Sequence, residues 1–353
     1  MSTQAWDLIV GRKELGDTRI DNGPAPTPAD GEVVLRVESF ALTANNITYG
    51  MAGDSIGYWR FFPAPEGWGR LPVWGFAHVE TSDHPDFAPG DRFYGYWPMS
   101  SHLRVKPRRT RGGFVDESAH RADLPPTYNV YASAPEGGAY ERERSIVQFT
   151  TSFLLDDFLA DSDDFGARTA ILTSASSRTA VGLAQLLKAS GRLRVVGLTS
   201  PRNQAFVESL GYYDEVVLYE DFDSAPIDGP AVLVDFAGDA ALVRRIHERF
   251  GDELKYSCLV GMTHWDSRNR SDAPMPGPQP VFFFAPDRVR KRRDDWGPEG
   301  FQQRHDAAWL TFAADTPRWL SVETHEGAEG ALKAYLEVLG GASHPSKGVI
   351  VRP

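Results

Sequence analysis

The run Thr173-Ser-Ala-Ser-Ser-Arg-Thr-Ala180 places small and hydroxylated side chains beside one guanidinium. It follows the apolar stretch Thr169–Thr173 and precedes an amphipathic stretch from Thr179 to Lys188, so it reads as a strand-to-helix turn. A phosphate held at such a turn needs close approach to backbone N–H groups and to the helix N-terminus. Ser174, Ala175, Ser176, Ser177 and Ala180 are small enough to permit that approach, and the hydroxyls of Ser176, Ser177 and Thr179 and the guanidinium of Arg178 can contact phosphate directly. No glycine occupies the turn, although dinucleotide turns normally carry several. Three readings stay open: a modified dinucleotide site, a site for a different phosphorylated ligand, or a turn that only packs helix on sheet. A nucleotide triphosphatase is disfavoured, because the Gly-rich lead-in and the Lys of a P-loop are missing.

A second strand, Arg194–Thr199, ends in Ser200-Pro-Arg-Asn203, roughly 20 residues past the turn, where NAD-selective sites place a carboxylate. None stands here. Hydroxyls plus a guanidinium suit a 2′-phosphate, so NADP(H) is the expected cofactor, with Arg202 as its main contact and Thr199, Ser200 and Asn203 beside it. The alternative is a solvated arginine at a helix start. Two later strand ends, Asp235-Phe-Ala-Gly238 and Gly261-Met-Thr-His264, fall where ligands bind in open α/β sheets, which adds Phe236, Gly238, Gly261 and Met262 to the expected cofactor contacts.

The elements that would position these residues alternate after about Ser145. Apolar runs at Thr169–Thr173, Leu193–Leu198, Glu215–Leu218, Ala231–Phe236, Tyr256–Gly261 and Val281–Ala285 are separated by amphipathic segments, the pattern of a parallel sheet with crossover helices. The stretch 299–314 reads as a helix and Gly348–Val351 as a last short strand. Residues 1–150 read as mainly β, with strands at Gly31–Phe40 and Phe93–Trp97 and a Pro-Gly turn at Ala88–Arg92. Residues 117–143, with Pro125-Pro126, Gly137-Gly138 and many charges, read as a long surface excursion or lid.

Composition narrows the classes. Forty-eight acidic residues against 37 basic ones in 353 give a formal charge of -11, which argues against a global field for nucleic acid. A single cysteine, Cys258, leaves no disulfide framework and no multi-cysteine zinc knuckle. No secretory leader and no apolar run of membrane-spanning length is read from the chain, so a cytoplasmic protein is expected.

Taken together, a β-rich N-terminal half containing Phe87-Ala-Pro-Gly-Asp-Arg-Phe93, the Thr151-Ser-Phe153 segment, the run Thr173–Lys188 and the tail Lys347-Gly-Val-Ile-Val351 resemble the medium-chain dehydrogenase/reductase superfamily. Within it the chain is most similar to the zinc-free quinone oxidoreductases and enoyl reductases, and more narrowly to an uncharacterised bacterial branch. The resemblance implies an α/β fold: a Rossmann-like, doubly wound parallel sheet over residues 151–315, plus a β-rich GroES-like domain from residues 1–150 and 316–353. It implies Thr151, Phe283 and Phe284 near the nicotinamide, and as catalytic candidates Tyr49, a proton donor or oxyanion partner, and Asn46, near the place of a common Asp; the alternative for Tyr49 is a buried tyrosine that anchors its loop through the hydroxyl. Phe76 in Gly75-Phe76-Ala77 stands where zinc relatives have a histidine ligand, and His78 and His84 make a poor set, so no metal is expected.

The aromatics Tyr58, Trp59, Trp68, Trp74, Tyr94, Tyr96 and Trp97, with Arg60, either wall a substrate pocket or form the core of a small β domain. The run Arg288-Val-Arg-Lys-Arg-Arg293 either binds a carboxylate or phosphate handle of the substrate, with Arg288 foremost, or is a solvated helix face balanced by Asp294 and Asp295. The implied activity is NADPH-dependent hydride transfer to an enoyl thioester, enone or quinone, without zinc. Its rivals are a dinucleotide sensor without turnover and a non-redox lyase, isomerase or thioesterase-like enzyme. The expected partners are a small-molecule substrate and, by analogy with relatives that pair through the Rossmann sheet edge, a second copy of the chain; neither nucleic acid nor membrane is expected.

Overall fold

The computed structural model describes residues 4–260, 275–341 and 343–353. The chain divides into two compact units, one of residues 1–146, 320–343 and 347–353, the other of residues 147–319 and 344–346.

The first unit opens with β1 (Gln4–Gly11), β2 (Thr18–Pro24), β3 (Val33–Leu42), helix α1 (Ala44–Met51), β4 (Trp68–Arg70), β5 (Pro72–Ser82) and β6 (Arg92–Pro98). It continues with β7 (His102–Val105), β8 (Pro107–Thr110), β9 (Gly113–Asp116), β10 (Val130–Ser133) and α2 (Glu141–Val147). The second unit follows: α3 (Thr150–Asp161), β11 (Thr169–Leu172), α4 (Arg178–Ser190), β12 (Arg194–Thr199), α5 (Gln204–Leu210), β13 (Glu215–Leu218), β14 (Ala231–Asp235), α6 (Ala240–Phe250), β15 (Leu254–Leu259), β16 (Val281–Phe282) and α7 (Ala285–Asp315). The chain returns to the first unit through β17 (Ser321–Glu326), α8 (Gly327–Leu339) and β18 (Lys347–Arg352).

In the first unit β2-β1-β4 form a small sheet, and a larger one runs β17-β18-β3-β5-β6-β10-β9-β8, with β7 also on β3. All pairings in both are antiparallel except β17–β18, whose crossover is α8. Strand β3 is paired on both sides, and in it Arg36, Glu38 and Ser39 reach the surface while Val37 and the two ends are buried. Residues 117–143 are not a surface excursion. Val130–Ser133 inserts between β6 and β9, and Arg121, Asn129 and Tyr131 are buried. Proline and glycine pairs on either side mask so short a strand.

In the second unit six parallel strands run β13-β12-β11-β14-β15-β16. Counted from β11 this is the order 3-2-1-4-5-6, which places the switch point between β11 and β14 and a ligand crevice at their C-terminal ends. Continuously apolar β11, β12 and β14 are buried throughout apart from Arg194, as expected for strands covered on both faces. Val281–Ala285 supplies only two strand residues, because Pro286 in the first turn of α7 starts the helix early. That helix is broken at Gly297, φ 73°, directly before Pro298.

Arg288 is corrected by the packing of α7 on α3. Its Nε lies 2.7 Å from Asp157 Oδ2 and its Nη1 2.9 Å from Asp161 Oδ2, while Arg292 takes the same two carboxylates at 2.7 and 2.9 Å. Both arginines are buried. They are neither a substrate handle nor a solvated face: paired charges pin α7 to α3, and hydrogen bonds from Arg288 and then Arg292 hold Asp161 down at about 2.

Candidate functional site

The turn between β11 and α4 sits at the switch point of the parallel sheet. Ser174 takes the left-handed conformation, φ 48°, a place usually given to glycine. Its N–H donates to the Tyr219 hydroxyl at 3.0 Å, Ala175 N–H to Leu198 O at 3.0 Å, and Ser177 N–H to Ser174 O at 2.8 Å. The Tyr213 hydroxyl donates to Ala175 O at 2.7 Å. Glycine is not absent from this arrangement. It has moved to the neighbouring strand: a Cβ on Gly197 of β12 would lie 2.6 Å from Tyr213 Cδ1 and 2.9 Å from Ala175 Cβ. Two tyrosines and one strand glycine therefore hold the turn that glycines hold elsewhere.

Ser177 is the N-cap of α4, its Oγ accepting from Ala180 N–H at 3.3 Å, and Ser176 Oγ accepts from Asn203 Nδ2 at 3.0 Å. Each hydroxyl acts as an acceptor within the protein, which leaves its own proton to donate to an anion. The Arg178 guanidinium opens α4, and burial lowers it to about 10, so it remains a cation at neutral pH but a poorly hydrated one. A partly desolvated cation, two hydroxyl donors and a helix N-terminus are the kinds of group that can hold an anion. Thr179 contributes its carbonyl to Ser152 Oγ at 2.9 Å, a bond that seats α4 on α3, where Gly182 leaves room for Ser152. Thr151 is half-buried beside it on α3.

At the end of β12, Thr199 is buried and its hydroxyl makes no hydrogen bond among the described residues. The short helical turn Pro201–Asn203 follows, with Arg202 exposed and Asn203 N–H on Ser200 O at 3.0 Å. Because Asn203 also reaches Ser176, the structure brings the two predicted segments, 174–180 and 199–203, into one cluster.

Beneath them lies a brace that the sequence did not disclose. Thr173 Oγ1 donates to Asp235 Oδ1 at 2.5 Å and accepts from Phe236 and Ala237 N–H at 2.8 and 3.1 Å, while Asp235 Oδ2 accepts from Gly238 N–H at 3.0 Å. Both side chains are fully buried, and desolvation raises the Asp235 carboxyl against the pull of Thr173. The brace fixes the ends of β11 and β14, hence Phe236 and Gly238, at the crevice. Gly261 and Met262 lie outside the described residues. Phe283 N–H donates to Leu259 O at 2.9 Å and its ring meets Phe158, with Phe284 following as the N-cap of α7.

The first unit gathers a different cluster. Tyr49 on α1 lies 4.6 Å from Tyr58 and 5.5 Å from Tyr96, ring to ring, and Tyr96 lies 4.8 Å from Tyr128. Trp74 Nε1 donates to the Tyr49 hydroxyl at 3.2 Å, and the hydroxyls of Tyr58 and Tyr128 are 3.2 Å apart. Burial pushes every one of these phenols up, so at neutral pH they are hydrogen-bonding acids and not bases. Tyr128, from the segment read as a lid, was missed as a member.

Three expected site residues belong to the framework instead. Asn46 is fully buried at the third position of α1, its Oδ1 accepting from Thr43 N–H at 2.7 Å and from Thr43 Oγ1 at 3.0 Å, its Nδ2 donating to Pro72 O at 2.8 Å; it is a cap and a tether. Trp59 is buried under Gly53 and Gly69, where any Cβ would strike its ring at 2.1 and 2.3 Å. Trp97 is fully buried with Nε1 donating to Gly75 O at 2.8 Å. Arg60 is exposed and faces Asp123 at 3.7 Å. Phe76 packs under the Arg92 guanidinium, 4.4 Å from its ring.

Residues 40–344 match the family described as "Protein of unknown function (DUF2855)". No curated protein matches the chain. Among solved structures, it is similar to an inferred NADPH:quinone reductase of Mesorhizobium loti, at 12% identity and TM-score 0.68 over 100% of this chain and 99% of that one. It is also similar to CurA of Vibrio vulnificus in complex with NADPH, at 16% identity and TM-score 0.64 over 98% of each chain. A mutant enoyl thioester reductase of Candida tropicalis matches at 11% identity and TM-score 0.58 over 100% of each chain. The two-domain fold of the medium-chain dehydrogenases/reductases is therefore this chain's fold. Among the described residues no helix is long and apolar enough to cross a membrane.

Proposed function

The chain belongs to the DUF2855 family, and we propose that it is an NADPH-dependent reductase that delivers hydride to an activated carbonyl compound, of the enoyl or quinone type, without catalytic zinc. The observation that carries the reading is the joining of the Ser174–Ala180 turn to the Ser200–Asn203 segment through Asn203 and Ser176 at the switch point of the parallel sheet. The pyrophosphate would lie against the α4 N-terminus, met by Ser176, Ser177, Thr179 and Arg178, and the 2′-phosphate against Arg202 and Ser200. The bound nicotinamide would supply the hydride. This chain's own part is to hold the two phosphate groups and to stabilise charge on the reduced substrate.

Tyr49 is the proposed donor for that charge. A phenol kept neutral by burial gives a proton or a strong hydrogen bond to a developing enolate. Tyr49→Phe is expected to lower NADPH-dependent turnover about tenfold while leaving NADPH affinity unchanged, the loss being limited because Trp74 Nε1–H, relieved of its tyrosine acceptor, can still donate. A kcat equal to that of the parent would remove Tyr49 from the chemistry.

The direct test titrates cofactor-stripped protein with NADPH and NADH, following nicotinamide fluorescence and Tm, and then follows NADPH absorbance in the presence of enones, enoyl thioesters and quinones. Tight NADPH binding with acceptor-dependent oxidation supports the reading. Binding with no oxidation by any acceptor class would make the chain a dinucleotide sensor, and no binding of either cofactor would end the redox assignment.

A further inference from the structure

Side chains two apart on a strand share a face, so Glu323 and His325 of β17 lie together. Strand β18 pairs with it in parallel, Lys347 opposite Ser321 and Val351 opposite His325, which places Lys347 on that same face. Helix α8 covers the face closely: a Cβ on Gly330 would lie 3.2 Å from the carbonyl carbon of His325. The approach buries the imidazole, which is 8% exposed, and brings Glu337 in from the helix. Nε2 of His325 is sealed from solvent and makes no hydrogen bond among the described residues, yet it lies 3.2 Å from Glu323 Oε1. One ligand atom from each of Glu323, His325 and Glu337 falls within 4.8 Å of the others. Lys347 Nζ is ion-paired with Glu323 and lies 4.0 Å from Glu337.

An ammonium answers the two carboxylates but leaves Nε2 of His325 without a hydrogen bond among the described residues. We propose that Glu323, His325 and Glu337 form a binding site for a divalent transition-metal ion of the zinc class, and that Lys347 is the counter-cation the metal displaces. The geometry suits that ion. With metal–ligand bonds of about 2.0–2.1 Å, the edge of a tetrahedron is about 3.3 Å, close to the separation already present between His325 and Glu323. Glu337, half-exposed on its helix, closes the remaining distance by side-chain rotation, and the solvent side leaves a fourth position for water. One imidazole nitrogen with two carboxylate oxygens favours zinc, cobalt or nickel over magnesium or calcium, which take oxygen ligands throughout. The site is separate from the Gly75-Phe76-Ala77 position at which zinc relatives carry a ligand, and it requires no redox step.

Tag-free full-length protein, stripped with chelator, is titrated with Co2+ while the visible ligand-field bands and Tm are followed, and Zn2+ is then used to displace the colour. One equivalent of tetrahedral Co2+, displaced by Zn2+, is expected. His325→Gln should weaken Co2+ binding by at least about tenfold, and Lys347→Met should tighten it by removing the competing cation. If His325→Gln fails to fold, Glu337→Gln, on the half-exposed side of α8, replaces it with the same expected direction. Absence of the bands in the parent protein overturns the proposal. So does Co2+ binding that neither His325→Gln nor Glu337→Gln changes, which would place the metal elsewhere.

Discussion

Arg202→Ala is expected to raise the Kd for NADPH about 20- to 100-fold and to leave that for NADH essentially unchanged. The asymmetry follows from what distinguishes the cofactors, a single 2′-phosphate. Arg202 is exposed on the Pro201–Asn203 turn directly after β12, and no carboxylate stands among residues 199–203 to receive a bare ribose. Hydrogen bonds to a charged group contribute about 1.5–3 kcal/mol, roughly one to two factors of ten in affinity. The remaining contacts to the pyrophosphate are common to both cofactors. Arg202→Lys separates charge from geometry: it keeps the charge but loses the planar fork, so it should recover only part of the lost affinity. Fluorescence titration of both nucleotides against the three proteins decides the matter. An equal loss for NADPH and NADH would assign Arg202 to the structure of the turn and not to the 2′-phosphate.

The same region shows how far the residues alone could be read. The alternation of apolar and amphipathic runs and the small-residue turn were visible because they are local patterns, and the parallel sheet of the second unit follows from them. What replaced the turn glycines was not visible. Tyr213, Tyr219 and Gly197 reach the turn from 22 to 45 positions further along the chain, and the Thr173–Asp235 bond spans 62. None leaves a local signature. The misassigned residues fail for a related reason. Asn46, Trp59, Trp97 and Arg288 have side chains equally suited to a site or to a core, and their partners decide: Thr43 and Pro72 for Asn46, two glycines for Trp59, the Gly75 carbonyl for Trp97, and two aspartates on α3 for Arg288. Within the cationic run a carboxylate pair from another helix buries Arg288 and Arg292, while Arg290, Lys291 and Arg293 stay exposed and Lys291 pairs with Asp295.

The largest expected stability loss in the first unit belongs to Arg121, in the segment whose Pro and Gly content suggested a lid. Arg121 is 1% exposed, with Nε 3.1 Å from Asp116 Oδ2, and Asp116 is 2% exposed. Its Nη1 donates to the Tyr131 hydroxyl at 2.9 Å, which itself donates to Tyr96 O at 2.7 Å, and its guanidinium lies 4.8 Å from the Phe62 ring. One side chain thus ties β9, β10 and β6 behind the tyrosine cluster. Arg121→Leu removes the cation and leaves the Asp116 charge buried, with Lys106 N–H, Ser118 N–H and Ser118 Oγ as its hydrogen-bond donors among the described residues. Breaking a buried pair in this way costs about 3–5 kcal/mol, a large part of the 5–15 kcal/mol typical of a folded domain. Burying two neutral groups is cheaper than burying one unpaired charge, so Arg121→Leu combined with Asp116→Asn should be more stable than Arg121→Leu alone. Denaturant unfolding measures the loss, and the double-mutant cycle isolates the pair. If Arg121→Leu costs less than about 1 kcal/mol, the three donors from Lys106 and Ser118 already satisfy Asp116, and the strand ties to Tyr131 and Tyr96 hold the segment without the ion pair.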